Sequence, residues 1–126
     1  MSRMFYDAFE FNQDLSKWDV SAVTNMAEMF SLARAFNQDL SKWDVSAVTN
    51  MNQMFSTAKN FRQTLCGPSW LDSTAAKKGM FSGSPGKIAV SACTTTTIAP
   101  KGLALFVVCA LCIHENGHSR LIIHIL

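Results

Sequence analysis

The chain has 126 residues, 48% hydrophobic and 16% charged, which excludes a disordered segment and amounts to one domain's worth of packed chain. Eleven basic against nine acidic side chains leave a net charge of +2, too little for a nucleic-acid-binding stripe or for a site that attracts acidic partners. The excess belongs to the C-terminal part, since the residues up to Leu65 hold six basic and seven acidic side chains and those after it five and two.

The opening segment from Met1 to Asp14 has neither an apolar run nor a small-residue cleavage site, so it does not read as a signal peptide. It enters at Met4-Phe5, a pair that returns as Met29-Phe30, Met54-Phe55 and Met80-Phe81. The block FNQDLSKWDVSAVTNM occupies Phe11 to Met26 and is repeated letter for letter from Phe36 to Met51, a period of 25 residues. A period in that range is the mark of a solenoid, whose units bury their apolar faces only by stacking on neighbours. Two full coils and two partial ones are present. A bare Met4-Phe5 edge without a cap reads as a fragment of a longer array or a truncated gene.

Within one coil, Leu15, Trp18 and Val20 have the L-x-x-L-x-L spacing of a leucine-rich-repeat strand, with Trp18 and Val20 in the core and Lys17 and Asp19 facing out. Asn25, three residues before Glu28, predicts a helix N-cap with its capping-box partner, and Asn50 with Gln53 repeats it. Met26, Met29, Phe30 and Ala33 then fall at i, i+3, i+4 and i+7, as do Met51, Met54, Phe55 and Ala58. The expectation is a short amphipathic helix after each strand, too short to hold alone and dependent on stacking.

Register is kept through Phe61 and Leu65, after which Cys66-Gly67-Pro68 interrupts the strand position and Trp70 arrives two residues late. Pro68 cannot donate to a ladder, which predicts the end of pairing there. Gly and Pro between Ser82 and Gly86 close the last Met-Phe turn. The expected organisation is a repeat solenoid over 1–90, a Thr-rich linker over 91–101, and a hydrophobic tail over 102–126 that is not part of the repeat fold. The tail's apolar run is shorter than the roughly 18 to 20 residues of a spanning helix. It reads first as a buried or loosely associated segment or an artefact of gene prediction, with membrane association as the alternative.

The repeat FNQDLSKWDVSAVTNM followed by Met-Phe resembles that of the BspA-like leucine-rich-repeat surface proteins, the family also described as DUF285, from Met4 to about Phe81. The resemblance implies an extracellular or surface-displayed scaffold for adhesion or protein contact, without catalytic residues or cofactor. The fold class expected is accordingly an α/β solenoid of strand–turn–helix coils followed by an irregular hydrophobic tail.

Chemistry is sparse. All three histidines follow position 113, so no nucleophile shares a unit with a His, and no convergent titratable set suggests an enzyme. Cys109, Cys112, His114 and His118 place one residue between the Cys and His pairs, where a zinc finger has about 12, so they read as members of the apolar run and its flank. Asp14, Asp19, Asp39 and Asp44 read as turn carboxylates rather than a calcium site, and Asn12, Asn37, Gln13, Gln38 and Gln63 as internal polar ladders. In an oxidising compartment Cys66 and Cys93 would close a loop of about 27 residues, worth roughly 3 kcal/mol on the entropic estimate; in a reducing one they stay free thiols. The candidate interaction face is the repeated polar set Ser16, Lys17, Asp19, Ser41, Lys42 and Asp44, offered to a protein or glycan partner. Two alternatives stand beside that reading: a small membrane-associated protein anchored by its tail, and a non-functional gene fragment.

Overall fold

The segment after each Asn25-type position builds the architecture, by a device other than a helix. In the computed structural model, which describes residues 1–90, backbone N–H groups in this segment alternate between two destinations. Those of Met29, Ser31 and Ala33 reach the carbonyls of Met26, Glu28 and Phe30, three residues back, at 3.1–3.2 Å. Those of Glu28, Phe30 and Leu32 reach across to the carbonyls of Asn52, Met54 and Ser56 at 2.8–2.9 Å. Every second donor thus closes a β-turn, and every other one joins two layers of chain.

The pattern recurs along the described chain. Arg3, Phe5 and Asp7 donate to Ala27, Met29 and Ser31 at 2.9–3.1 Å, and Gln53, Phe55 and Thr57 donate to Lys78, Met80 and Ser82 at 2.7–3.0 Å. Parallel bridges pair Asn25 with Asn50 and Asn50 with Ala76. We therefore speak of four layers, 1–25, 26–50, 51–75 and 76–90, joined to one another through this segment. They lie in a compact unit, Met1–Cys93. The expected linker and tail, with Cys93, Cys109, Cys112, His114 and His118, lie outside the described residues.

The expected helix over Met26 to Ala33 does not form, and neither does the strand over Leu15 to Val20. Among the described residues the regular elements are β1, Thr64–Leu65, α1, Pro68–Leu71, and β2, Lys87–Ile88, with β1 and β2 paired in parallel. The backbone gives the reason. A β-turn with a left-handed third residue is a type II turn, and that residue is Arg3 (φ 57°), Asp7 (61°), Glu28 (56°), Leu32 (63°), Gln53 (54°), Thr57 (58°), Gly79 (63°) or Gly83 (71°). A left-handed residue at every fourth position breaks a right-handed helix, yet consecutive turns preserve its 3 and 4 spacing. Met26, Met29, Phe30 and Ala33 are accordingly all fully buried. A helix would spend its donors internally and leave nothing to tie one layer to the next. In place of the strand, Asp14 and Asp19 bend the backbone by accepting the N–H groups of Ser16 and Ser21.

The core runs through the layers as columns of identical side chains. Phe5, Phe30, Phe55 and Phe81 stack at centroid separations of 5.3, 5.5 and 5.5 Å, and Phe11, Phe36 and Phe61 at 5.9 Å. Within a layer the two columns touch, with Phe30 and Phe36 at 4.1 Å and Phe55 and Phe61 at 4.0 Å. Burying each such ring contributes roughly 1.5–3 kcal/mol. The second column stops at Gly86, where a Cβ would stand 2.4 Å from the ring of Phe61, so only glycine lets the backbone lie against that ring.

The tryptophans do not share one fate. Trp43 is 2% exposed and Trp18, in an identical stretch of sequence, is 42% exposed, which corrects the expectation that both are core. Trp43 Nε1 donates to the Leu15 carbonyl of the preceding layer at 2.9 Å, and Trp70 Nε1 to that of Leu40 at 3.0 Å. Trp18 lies in the first layer, where no described residue offers that carbonyl. The two-residue delay before Trp70 is absorbed by α1, whose Asp72 N–H caps back onto Pro68 and which turns the indole, 1% exposed, into the same core position. Pairing also resumes beyond Pro68, since Lys87 and Ala89 donate to Gln63 and Leu65 at 3.1 and 2.8 Å.

Candidate interaction face

Four of the six expected face residues, Lys17, Asp19, Lys42 and Asp44, are exposed, and Ser16 and Ser41 are half-buried. Ser41 is committed to the stack, its hydroxyl accepting the N–H of Cys66 at 3.2 Å. The carboxylates are fixed rather than free. Asp19 Oδ1 accepts from Ser21 Oγ at 2.6 Å and from its N–H at 3.0 Å, and Asp44 Oδ1 accepts from the N–H of Ser46 at 3.0 Å and from Ser69 Oγ at 3.2 Å.

Those donors favour the ionised form. Hydrogen bonds from the side chain and then the backbone of Ser21 hold Asp19 below the ordinary carboxylate range, against the like charge of Asp44. Ser46, and after it Ser69, do the same for Asp44, and the backbone N–H of Ser16 leads for Asp14. The face therefore presents carboxylates that stay charged and hold their orientation, each with a lysine two residues before it in sequence.

The layers are also joined by an asparagine ladder. Asn12 Oδ1 accepts the N–H of Asn37 at 2.9 Å and Asn37 Oδ1 that of Arg62 at 2.8 Å, while Gln38 and Gln63 donate to Asn12 and Asn37. These polar side chains are occupied in bonds between layers. Asn25 and Asn50, expected as helix caps, instead close two-residue turns onto the N–H groups of Ala27 and Asn52. Glu28, expected as the capping-box partner, forms a two-pronged ion pair with Arg3 one layer away, at 2.9–3.0 Å. Sequence reasoning missed that pair, although Arg3 and Glu28 stand one period apart.

Cys66 is disulfide-bonded. A shallow hollow of about 290 Å³ beside Asp44 is lined by Ser46, Pro68, Ser69, Asp72, Ser73 and Thr74, which bring hydroxyls and a single carboxylate and no nucleophile–base pair. Among the described residues no group of three or more His, Cys, Asp or Glu side chains could hold a metal, and no helix is long and apolar enough to cross a membrane.

No curated protein and no solved structure matches the chain. Residues 1–89 match the family described as Mycoplasma protein of unknown function, DUF285, and the chain belongs to that family.

Proposed function

We propose that the protein is a non-catalytic repeat scaffold, a solenoid of the BspA-like kind, that displays a repeated charged face to a protein partner at or outside the cell surface. The observation that carries the reading is the recurrence, one layer apart, of exposed Lys17 with Asp19 and Lys42 with Asp44, their carboxylates pinned by serine donors. Packing requires Leu15, Val20 and Met26 to recur, but it does not require identical side chains on the outside. A face of fixed, alternating charge suits a complementary charged protein surface, where it sets orientation and encounter rate more than raw affinity. The disulfide at Cys66 supports an oxidising compartment.

The test is binding by arrays of increasing layer number to proteins displayed on the host or neighbouring cell surface, with and without Lys17→Ala, Asp19→Ala, Lys42→Ala and Asp44→Ala together. Apparent affinity should rise with layer number, because each added layer brings a further copy of the site at high effective concentration. It should collapse in the quadruple variant. Undiminished binding by that variant would move the contact elsewhere, and binding to purified glycans alone would replace the protein partner with a carbohydrate one.

A further inference from the structure

Along the turn segment of each layer the hydrogen bonds between layers run one way, whereas elsewhere they run back, as from Thr49 to Thr24 and from Ala89 to Leu65, so the turn segment finishes differently at the two ends of the stack. Each layer gives three N–H groups to the carbonyls of the next, as Gln53, Phe55 and Thr57 give to Lys78, Met80 and Ser82. In the fourth layer the equivalent donors are the N–H groups of Gly79, Phe81 and Gly83, and among the described residues no hydrogen bond uses them. In the first layer the equivalent acceptors are the carbonyls of Ser2, Met4 and Tyr6, and these accept nothing from the described residues. Along this segment one end is a row of donors and the other a row of acceptors, at the same spacing along the chain.

The side chains at the first-layer end are also unfinished. Met4 is 50% exposed where its counterpart Met29 is fully buried, and Trp18 is 42% exposed where Trp43 is 2%. Tyr6 and Phe9 add to this surface, at 44% and 48% exposed. What buries Met29 and Trp43 is the layer before them, so the surface at Met4 and Trp18 has the shape that one more layer of the same kind fills. The phenylalanine column likewise ends at Phe5 on one side and at a partly buried Phe81 on the other.

We propose that copies of this chain associate head to tail. The fourth layer of one copy sits on the first layer of the next, with the N–H groups of Gly79, Phe81 and Gly83 donating to Ser2, Met4 and Tyr6 of the neighbour. The Phe81 ring continues onto the neighbour's Phe5, and Met4 and Trp18 become buried. Because the two patches differ, the contact is heterologous and grows into an open chain or a ring. This surface is separate from the charged face and stands or falls independently of it.

The test is sedimentation of the full chain over a concentration series, with variants on each end. The average mass should climb with concentration, and Met4→Lys with Trp18→Lys, at positions exposed in the single copy, should weaken association at least about tenfold. At the other end the layer geometry offers a charge test. Position 79 is in register with Glu28, which forks onto Arg3, and a side chain there meets only ordinary contact with Gln53. Gly79→Glu should strengthen association with Arg3 of the neighbour and Gly79→Arg should weaken it, both carrying the same backbone strain, with the difference fading at high salt. Retained burial of Trp43 and Trp70, read by fluorescence, confirms that each variant is folded. A protein that stays monomeric up to about 1 mM, association indifferent to both ends, or association that responds to Met4 and Trp18 but treats the two Gly79 variants alike would each overturn the proposal.

Discussion

Trp18 and Trp43 occupy the same letter of the same sixteen-residue block, so replacing each by phenylalanine isolates what a neighbouring layer contributes. Trp43→Phe removes the indole bond to the Leu15 carbonyl. That carbonyl still accepts the N–H of Trp18 at 3.0 Å, so the loss is a net hydrogen bond of about 0.5–1.5 kcal/mol and not the full cost of a stranded acceptor. The smaller ring leaves on the order of 40 Å³ unfilled, which adds about 1 kcal/mol at roughly 24 cal/mol per Å³. With the lost apolar transfer the total is about 2–3 kcal/mol, or a fall in Tm of about 10 °C or more for a unit of this size. Trp18→Phe gives up no buried bond and should stay within about 0.5 kcal/mol. Urea unfolding followed by the remaining tryptophans measures both, at a protein concentration low enough to keep the chain monomeric. Equal losses from the two variants would refute the argument that the preceding layer, rather than the local sequence, sets a tryptophan's worth.

Thr57 is β-branched at φ 58°, a conformation that costs an L-residue roughly 1–2 kcal/mol, whereas glycine costs about 0.5–1 kcal/mol in chain entropy. Thr57→Gly should therefore leave the protein as stable or slightly more so, while Ser56→Gly, at a position without positive φ, should lower the urea midpoint; the opposite order would contradict the turn assignment. Asp19 is held below its ordinary value by Ser21, so its contribution to stability is present above about pH 4, the unfolded carboxylate's value, and is lost as pH falls through the lowered folded value. Ser21→Ala should move the Asp19 titration upward in a carboxyl-detected NMR experiment, and an unmoved titration would remove Ser21 as the cause.

The repeat was legible because identity at a fixed spacing needs no structural theory, and burial followed from it at Leu15, Val20, Met29, Phe30, Met54 and Phe55. The local backbone was not legible in the same way. A helix and a run of alternating turns put Met26, Met29, Phe30 and Ala33 on one side at the same spacing, and periodicity alone does not separate them. A weak signal did exist: Gly79 and Gly83 stand where Glu28 and Leu32 stand two layers earlier, and glycine recurring four residues apart marks left-handed positions in a turn series. Asn25 illustrates the same ambiguity, since a side chain that accepts from an N–H two residues on serves a helix cap and a free-standing turn equally well. At the candidate face, alternation holds at Lys42, Trp43 and Asp44 but not in the first layer, where Trp18 is exposed beside Lys17 and Asp19, and the serine partners that fix the carboxylates could not be ranked among the neighbouring polar residues.

The drift after Leu65 follows from the demands of the stack. The second and third layers supply an indole to the layer before them, and a layer also needs left-handed corners for its turns and an aromatic ring for the column. The third layer meets the first demand late, and α1 takes up the slack so that Trp70 still reaches Leu40. The fourth layer meets the second with glycine, which removes the strain that Gln53 and Thr57 carry at the same corners. It abandons the third at Gly86, letting backbone lie directly on Phe61 and closing one column while Phe81 leaves the other open. Sequence identity is thus relaxed where packing can be satisfied another way. The ladder of the turn segment is kept to the last turn, with Thr57 donating to Ser82 at 2.7 Å, and among the described residues the N–H groups of Gly79, Phe81 and Gly83 that would continue it have no acceptor.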